Sequence, residues 1–382
     1  MESPRLSVAR LTLSRFRCYE HLRLETDPRP VVLVGPNGAG KTNLLESLSF
    51  LVPGRGLRRA RLAEVMRQAS TGQPPDGTGW AVAARLSGPG GPVDVGTGCD
   101  ANQGGIERRQ VRIDGEDARG QAALSEVASA VWLTPHMDRL FADGASGRRR
   151  FLDRMVFGLD PAHAGRVSAY EHAMRERSRL LRDGDGDGTW LAALESTMAE
   201  RGIAIAAARC DMAARLDEAC MSADGPFPAA SLVMRGDVED WLGQGPALAA
   251  EDRLRDGLIR SRPLDAMTGG AAVGPHRSDL IIRHRGKDMP AEQCSTGEQK
   301  AVLIAIVLAD ARLQARERGS VPLMLLDEVV AHLDEVRRAA LFEAICDLDA
   351  QAWMTGTDAA LFAPLGHRAQ RFRVENATLS TF

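Results

Sequence analysis

Hydrophobic and polar positions fall into two textures along the chain. From residue 5 to 35 the pattern alternates, with Leu11 and Leu13 between polar neighbours, and it ends in the unbroken run Val31-Val-Leu-Val34. Alternation predicts strands with one covered face, and a short continuous apolar run predicts a strand buried on both faces. A helical pattern follows from Lys41 to about Leu51 and stops at Pro53-Gly54. Residues 79–114 return to short segments, Trp80–Leu86, Val93–Val95 and Glu107–Ile113, separated by Gly, Pro and Asp, with Asp114-Gly115 as a turn. That pattern predicts a β-meander. A further strand is expected over Ala130–Leu133.

After Gly147 the pattern becomes helical, rich in Ala, Leu, Arg and Glu. Helices are predicted over about 148–157, 162–182 and 190–221, the last two separated by Asp183–Gly188, followed by a short strand near 230–235 and a helix near 247–261. From about 273 the α/β texture resumes. It predicts a strand at 279–285, a helix at 297–316, a strand at Pro322–Leu326, a helix at 335–347 and a strand at 351–355. The expected organisation is therefore an α/β head in two pieces, 1–147 and 271–382, with a mainly helical lobe, 148–270, inserted between them.

Composition narrows the function classes. With 382 residues and 44% hydrophobic positions, the chain can bury a sizeable core. A formal net charge of −3 excludes binding of nucleic acid by bulk positive charge, so any such contact must come from local patches. The six cysteines (Cys18, Cys99, Cys210, Cys220, Cys294 and Cys346) have no metal-knuckle or redox-pair spacing, which suits a reducing compartment. The opening Met-Glu-Ser-Pro-Arg-Leu has no apolar signal-peptide core, and no apolar run reaches the ~18 residues of a membrane span. A cytoplasmic protein with no membrane partner is expected.

The strongest chemical signal is Gly35-Pro36-Asn37-Gly38-Ala39-Gly40-Lys41-Thr42, a full match to G-x-x-x-x-G-K-[ST], set between an apolar strand and a helix. The glycines let the backbone turn its N–H groups toward anionic phosphates, beside a helix N-terminus. Lys41 adds a point charge between the β- and γ-phosphates of ATP, and Thr42 offers a hydroxyl to Mg²⁺. Far along the chain, Leu323-Met-Leu-Leu-Asp327-Glu328 ends an apolar strand in two carboxylates and resembles a Walker B motif. Asp327 is expected to hold the metal, directly or through water, and Glu328 to act as general base toward the attacking water. Lys41, Asp327 and Glu328 are thus the candidate catalytic residues.

Ser295-Thr-Gly297-Glu298-Gln299-Lys300, just before a helix, resembles the signature motif of the ABC-type ATPases. In that superfamily the motif covers the γ-phosphate bound by a second subunit, which implies an ATP-dependent head-to-head homodimer with Ser295, Gly297 and Glu298 acting in trans. Ala331-His-Leu-Asp334 resembles the D-loop that crosses such an interface, and Thr355-Gly-Thr357 lacks the switch histidine usual in transporter ATPases.

About 250 residues separate Lys41 from Ser295, more than in transporter nucleotide domains and far fewer than in ATPases with long coiled coils. Together with local motifs this resembles the RecF family of bacterial recombination mediators. The motifs are Phe16-Arg17-Cys18-Tyr19 (family F-R-N-Y), Gly54-Arg55-Gly56-Leu57-Arg58, the block from Asp143 to Asp153 containing Arg148-Arg149-Arg150-Phe-Leu-Asp153, and Gly274-Pro-His-Arg277-Ser278-Asp-Leu280, where Ser278 replaces an Asp. They stand in the family's order over essentially the whole chain. The family's Q-loop glutamine has no counterpart near Leu133-Thr-Pro-His136, which leaves the γ-phosphate sensor open. The resemblance implies a DNA repair and replication protein of the DNA-damage (SOS) response. It implies ATP-driven dimerisation at single-strand gaps or junctions with double-stranded DNA, slow hydrolysis as a release switch, and work with the RecO and RecR proteins in loading RecA.

Two basic stretches are candidate DNA contacts: Arg55–Arg67, with Arg58 and Arg59 foremost, and Arg148–Arg154. Asp183–Gly188 imitates the start of a calcium loop, but position 12 is Leu194 rather than an acid. His136, His163 and His172 lack zinc-ligand spacing and are expected to be ordinary surface or core residues. A transporter's nucleotide-binding subunit is the alternative class and a small-molecule P-loop kinase a third. The first expects a switch histidine, and the second has no use for a signature motif.

Overall fold

The computed structural model describes residues 5–67, 79–99, 109–184, 188–221 and 225–382. The chain divides into two compact units. One comprises Met1–Asp138, Asp224–Phe227 and Leu303–Phe382, and the other Arg139–Ala223 and Pro228–Val302.

The first unit holds two six-stranded sheets. In one, the spatial order is Thr378–Thr381, Gln370–Glu375, Val31–Val34, Ala352–Gly356, Leu323–Leu326 and Ala130–Leu133, all parallel except the Thr378–Thr381 edge. All four residues of Val31–Val34 and of Leu323–Leu326 are buried, as their continuous apolar runs predict. The other sheet is antiparallel: Tyr19–Glu25, Ser7–Phe16, Trp80–Gly88, Gly91–Cys99, Arg109–Ile113 and Glu116–Asp117. Trp80–Gly88 alternates buried and exposed positions, so one face is covered and one is open. Part of the expected strand at Glu107–Ile113 lies outside the described residues. Phe16, Phe50 and Trp80 meet edge to face, with centroids 5.1 to 5.9 Å apart, and fix the helix Lys41–Ser49 against this sheet.

The second unit is built on the helices Ala145–Leu159, Ala162–Asp183, Gly188–Met221, Asp237–Gln244 and Ala247–Thr268, with a three-stranded sheet of Met289–Pro290, Asp279–His284 and Ala230–Arg235. The middle of the Asp183–Gly188 segment lies outside the described residues. Two buried ionic knots hold the helices. Arg177, fully buried, reaches Glu195 at 2.9 Å, Asp265 at 2.8 Å and the Leu258 carbonyl at 2.6 Å. Asp153 accepts both arms of Arg209 at 2.8 Å, and His163 Nε2 lies 2.9 Å from it. Burial alone would raise the Asp153 carboxyl, but His163 and Arg209 together hold it below its ordinary value.

The structural boundary differs from the expected one at residue 270. Asp279–His284 pairs antiparallel with Ala230–Arg235 along its whole length, and this draws residues 271–302 into the helical unit. The short helix Asp237–Gln244 and the strands Gln370–Glu375 and Thr378–Thr381 also go beyond what the sequence pattern predicts.

Candidate nucleotide-binding site

The phosphate loop lies between the buried strand Val31–Val34 and the helix Lys41–Ser49. Gly38 and Gly40 take left-handed φ angles of 80° and 112°. A side chain on Gly40 would also collide with the Tyr19 hydroxyl at 2.7 Å and with Cys18 Sγ at 2.8 Å. Gly35 is needed for a different reason. It has no left-handed φ, but a Cβ there would overlap the Val374 carbonyl oxygen, so the neighbouring strand passes too close for any side chain.

Lys41 is buried and donates to the Gly35 carbonyl at 2.6 Å and the Pro36 carbonyl at 2.9 Å. Burial pulls its ammonium down from the ordinary value, and the carboxylates of Glu328 and Asp327 offset part of that effect. The loop therefore holds a cation over its own mouth. Thr42 donates to both carboxylate oxygens of Asp327, at 2.9 and 3.0 Å, although the two residues are 285 positions apart in sequence. The parallel sheet makes this pairing: Val31–Val34 and Leu323–Leu326 flank Ala352–Gly356, so the loop after one strand faces the acids after the other.

Thr355 completes the cluster. Its buried hydroxyl donates to Asp327 Oδ1 at 2.8 Å and accepts the Glu328 backbone N–H at 2.8 Å. Glu328 occupies the left-handed region, with φ 52° and ψ 23°, which is uncommon for a residue with a side chain. One threonine thus orients the Asp327 carboxylate and pins the strained backbone of Glu328. In the sequence Thr355 stands out only for the histidine missing beside it. Its signal there is a polar side chain ending an otherwise apolar strand, Ala352–Gly356. A threonine hydroxyl beside an aspartate carboxylate is a hard-oxygen donor set that fits Mg²⁺.

The remaining candidates lie as follows. Ser295 and Glu298 form a reciprocal capping box at the start of the helix Thr296–Arg318, with Ser295 N donating to Glu298 at 3.1 Å and Glu298 N to Ser295 Oγ at 3.4 Å. Glu298 also pairs with Lys287. Asp334 caps the helix Glu335–Asp347 through the Arg337 N–H at 2.8 Å. His136 is exposed on the turn Pro135–Arg139, and Asp327 N donates to the carbonyl of Leu133 just upstream.

Arg58 donates to Asn43 at 2.9 Å and to Glu46 at 3.3 Å, both on the phosphate-loop helix, and Arg17 grips Glu46 at 2.7 and 2.9 Å. Arg55, Arg59 and Arg61 are exposed, and Arg59 has a left-handed φ of 57°. In the second basic stretch, Arg148 is bonded to Asp279 at 2.8 Å through two nitrogens and Arg149 to the Ser278 carbonyl at 2.6 Å. These two arginines brace the helical unit, whereas Arg150 is exposed.

A phosphate loop facing an Asp-Glu strand end across a parallel sheet, in a chain that adds an antiparallel sheet and a helical unit, defines an ATPase head of the ABC type. The RecF/RecN/SMC N terminal domain family matches residues 7–365. The DNA replication and repair protein RecF of Mesorhizobium japonicum is 50% identical over 376 residues, covering 97% of each chain. That of Rhizobium meliloti is 49% identical over 375 residues, covering 98% of each, and that of Agrobacterium fabrum is 47% identical over both full lengths. The chain belongs to the RecF family of SMC-like ABC ATPases. Solved structures agree on the fold. The recombination mediator protein RecF-ATPrS in the RecFOR pathway matches with a TM-score of 0.83 at 19% identity, covering 99% of this chain and 98% of that one. The Smc head domain from Pyrococcus furiosus bound to the C-terminal domain of ScpA gives 0.54 at 15% identity, covering 99% of this chain and 96% of that one.

Proposed function

We propose that this chain is an ATP-binding DNA replication and repair protein that dimerises head to head on ATP at gapped or junction DNA. Slow hydrolysis then releases it, and RecO and RecR are its partners in loading RecA. The observation that carries the reading is the joining of Thr42, Asp327 and Thr355 within 3.0 Å beside the buried Lys41.

On this reading Gly35–Thr42 is one half of a nucleotide site. The loop N–H groups and Lys41 hold phosphate. Thr42 and Asp327 are the residues that would hold Mg²⁺, which when bound supplies neutralisation of phosphate charge. Glu328 orients and deprotonates the attacking water. Ser295 and Gly297 of a second copy form the other half, and Asp334 lies at the seam. The names of the curated RecF relatives, and the ATP named in the solved RecF structures, support this reading over a transporter subunit. Among the described residues no helix is long and apolar enough to cross a membrane.

Light scattering with and without ATP and gapped DNA tests the proposal. Wild type should double in mass with ATP, and more readily with DNA. Lys41→Arg should need more ATP, because the guanidinium cannot keep both loop carbonyl bonds. Ser295→Arg should stay monomeric. A wild-type chain that remains monomeric with both ligands present rules out the two-ATP sandwich.

A further inference from the structure

The signature segment carries a negative charge where a phosphate is meant to arrive. Glu298 stands in the first turn of the helix Thr296–Arg318, three residues after Ser295, and its carboxylate is bound to the Ser295 backbone. The Lys287 hydrogen bond, then the bonds to Ser295, hold that carboxyl down to about 2, so it stays ionised. Such a charge suits the helix dipole but opposes an incoming anion. Lys287 comes from a separate element, the turn Arg285–Lys287, and its ammonium sits on Glu298 Oε1. The other cations around this turn are already engaged, Arg283 with Asp288 and Arg285 with Asp217.

We propose that Lys287 is a positioning residue for the signature segment: its ammonium cancels the Glu298 charge and holds that side chain against the cap, so that Ser295 and Gly297 can receive the nucleotide phosphates of a second copy. The inference rests on the two-ATP dimer proposed above. An exposed ion pair does little for fold stability, so the contribution of Lys287 falls on association rather than on folding. One uncompensated charge at short range is worth about tenfold in an equilibrium constant, and a dimer with two such sites feels it twice, about a hundredfold.

The full chain should be compared as wild type, Lys287→Ala, Lys287→Arg, Glu298→Gln and the double variant Lys287→Ala/Glu298→Gln. Monomer affinity for a fluorescent ATP analogue is measured at dilute protein, and ATP-driven dimerisation by light scattering at several salt concentrations. Lys287→Ala should leave monomer affinity and melting temperature unchanged, weaken dimerisation about a hundredfold, and lose part of that deficit at high salt. Lys287→Arg should restore dimerisation, and so should the double variant, because glutamine still completes the cap without the charge. Wild-type dimerisation by Lys287→Ala, or a double variant no better than the single one, overturns the proposal. Absence of an ATP dimer in wild type overturns the underlying reading instead.

Discussion

At the scale of single residues, the site depends on hydroxyl groups as much as on its charges. Thr355 serves two neighbours at once: the Asp327 carboxylate, also held by Thr42, and the left-handed backbone of Glu328 at φ 52°. Thr355→Val keeps the shape and removes the hydroxyl. The Glu328 N–H then loses its acceptor, which costs about 1 to 3 kcal/mol, and the two acids lose their shared orientation. Hydrolysis should fall about 10- to 100-fold, well beyond any loss of nucleotide affinity, and Thr355→Ser should recover most of it. Steady-state hydrolysis beside equilibrium nucleotide binding checks this. A Thr355→Val protein that hydrolyses at the wild-type rate would remove Thr355 from the positioning of Asp327 and Glu328.

At the scale of elements, local pattern and long-range pairing divide the work. The helices Ala162–Asp183, Gly188–Met221, Thr296–Arg318 and Glu335–Asp347 are legible in the sequence to within a few residues because each carries its own periodicity and breakers. The fully apolar strands beside the phosphate loop and before Asp327 are legible for the same reason. What the sequence hides depends on partners far along the chain. Gln370–Glu375 alternates weakly and becomes a strand by pairing with Val31–Val34, and Gly35 is glycine because the Val374 carbonyl passes through the space its Cβ would need. The domain boundary moves because Asp279–His284 pairs with Ala230–Arg235. The Asp153 knot is equally hidden, since its members Asp153, His163 and Arg209 come from three helices. Asp153→Asn leaves the buried Arg209 without its counter-charge and should destabilise the protein by about 3 to 5 kcal/mol at neutral pH. The Asp153 carboxyl titrates lower in the folded chain than in the unfolded one, where about 3.9 is usual. Its contribution is therefore complete above that unfolded value and disappears as pH falls through the folded one, so the gap between variant and wild type should narrow in acid. Urea unfolding at pH 7 and near pH 3 measures both, and a gap that is constant or widens would assign the cost to packing instead of charge.

At the scale of the whole molecule, the proposed hold on DNA by a chain of net charge −3 would need clustered arginines, and their bonding within the fold sorts the candidates. Arg148 and Arg149 are committed to Asp279 and to the Ser278 carbonyl. Arg58 has a double allegiance, being exposed yet bonded to Asn43 and Glu46 on the phosphate-loop helix. Reversing its charge would place a second carboxylate against Glu46, so it is a poor test of DNA binding alone. Arg59 and Arg61 are exposed on the same segment and are the next candidates to test. If that segment faces DNA, Arg59→Glu/Arg61→Glu should weaken binding to every sequence alike. The salt dependence should also fall, by nearly one unit of log–log slope for each phosphate that is no longer neutralised. Monomer ATP affinity should stay at the wild-type value. Arg58→Ala should lower DNA affinity and also disturb nucleotide binding, because it loosens Asn43 next to Thr42. DNA titrations of the double variant at several salt concentrations decide the matter: affinity and slope both equal to wild type would move the DNA surface away from the Arg55–Arg61 segment.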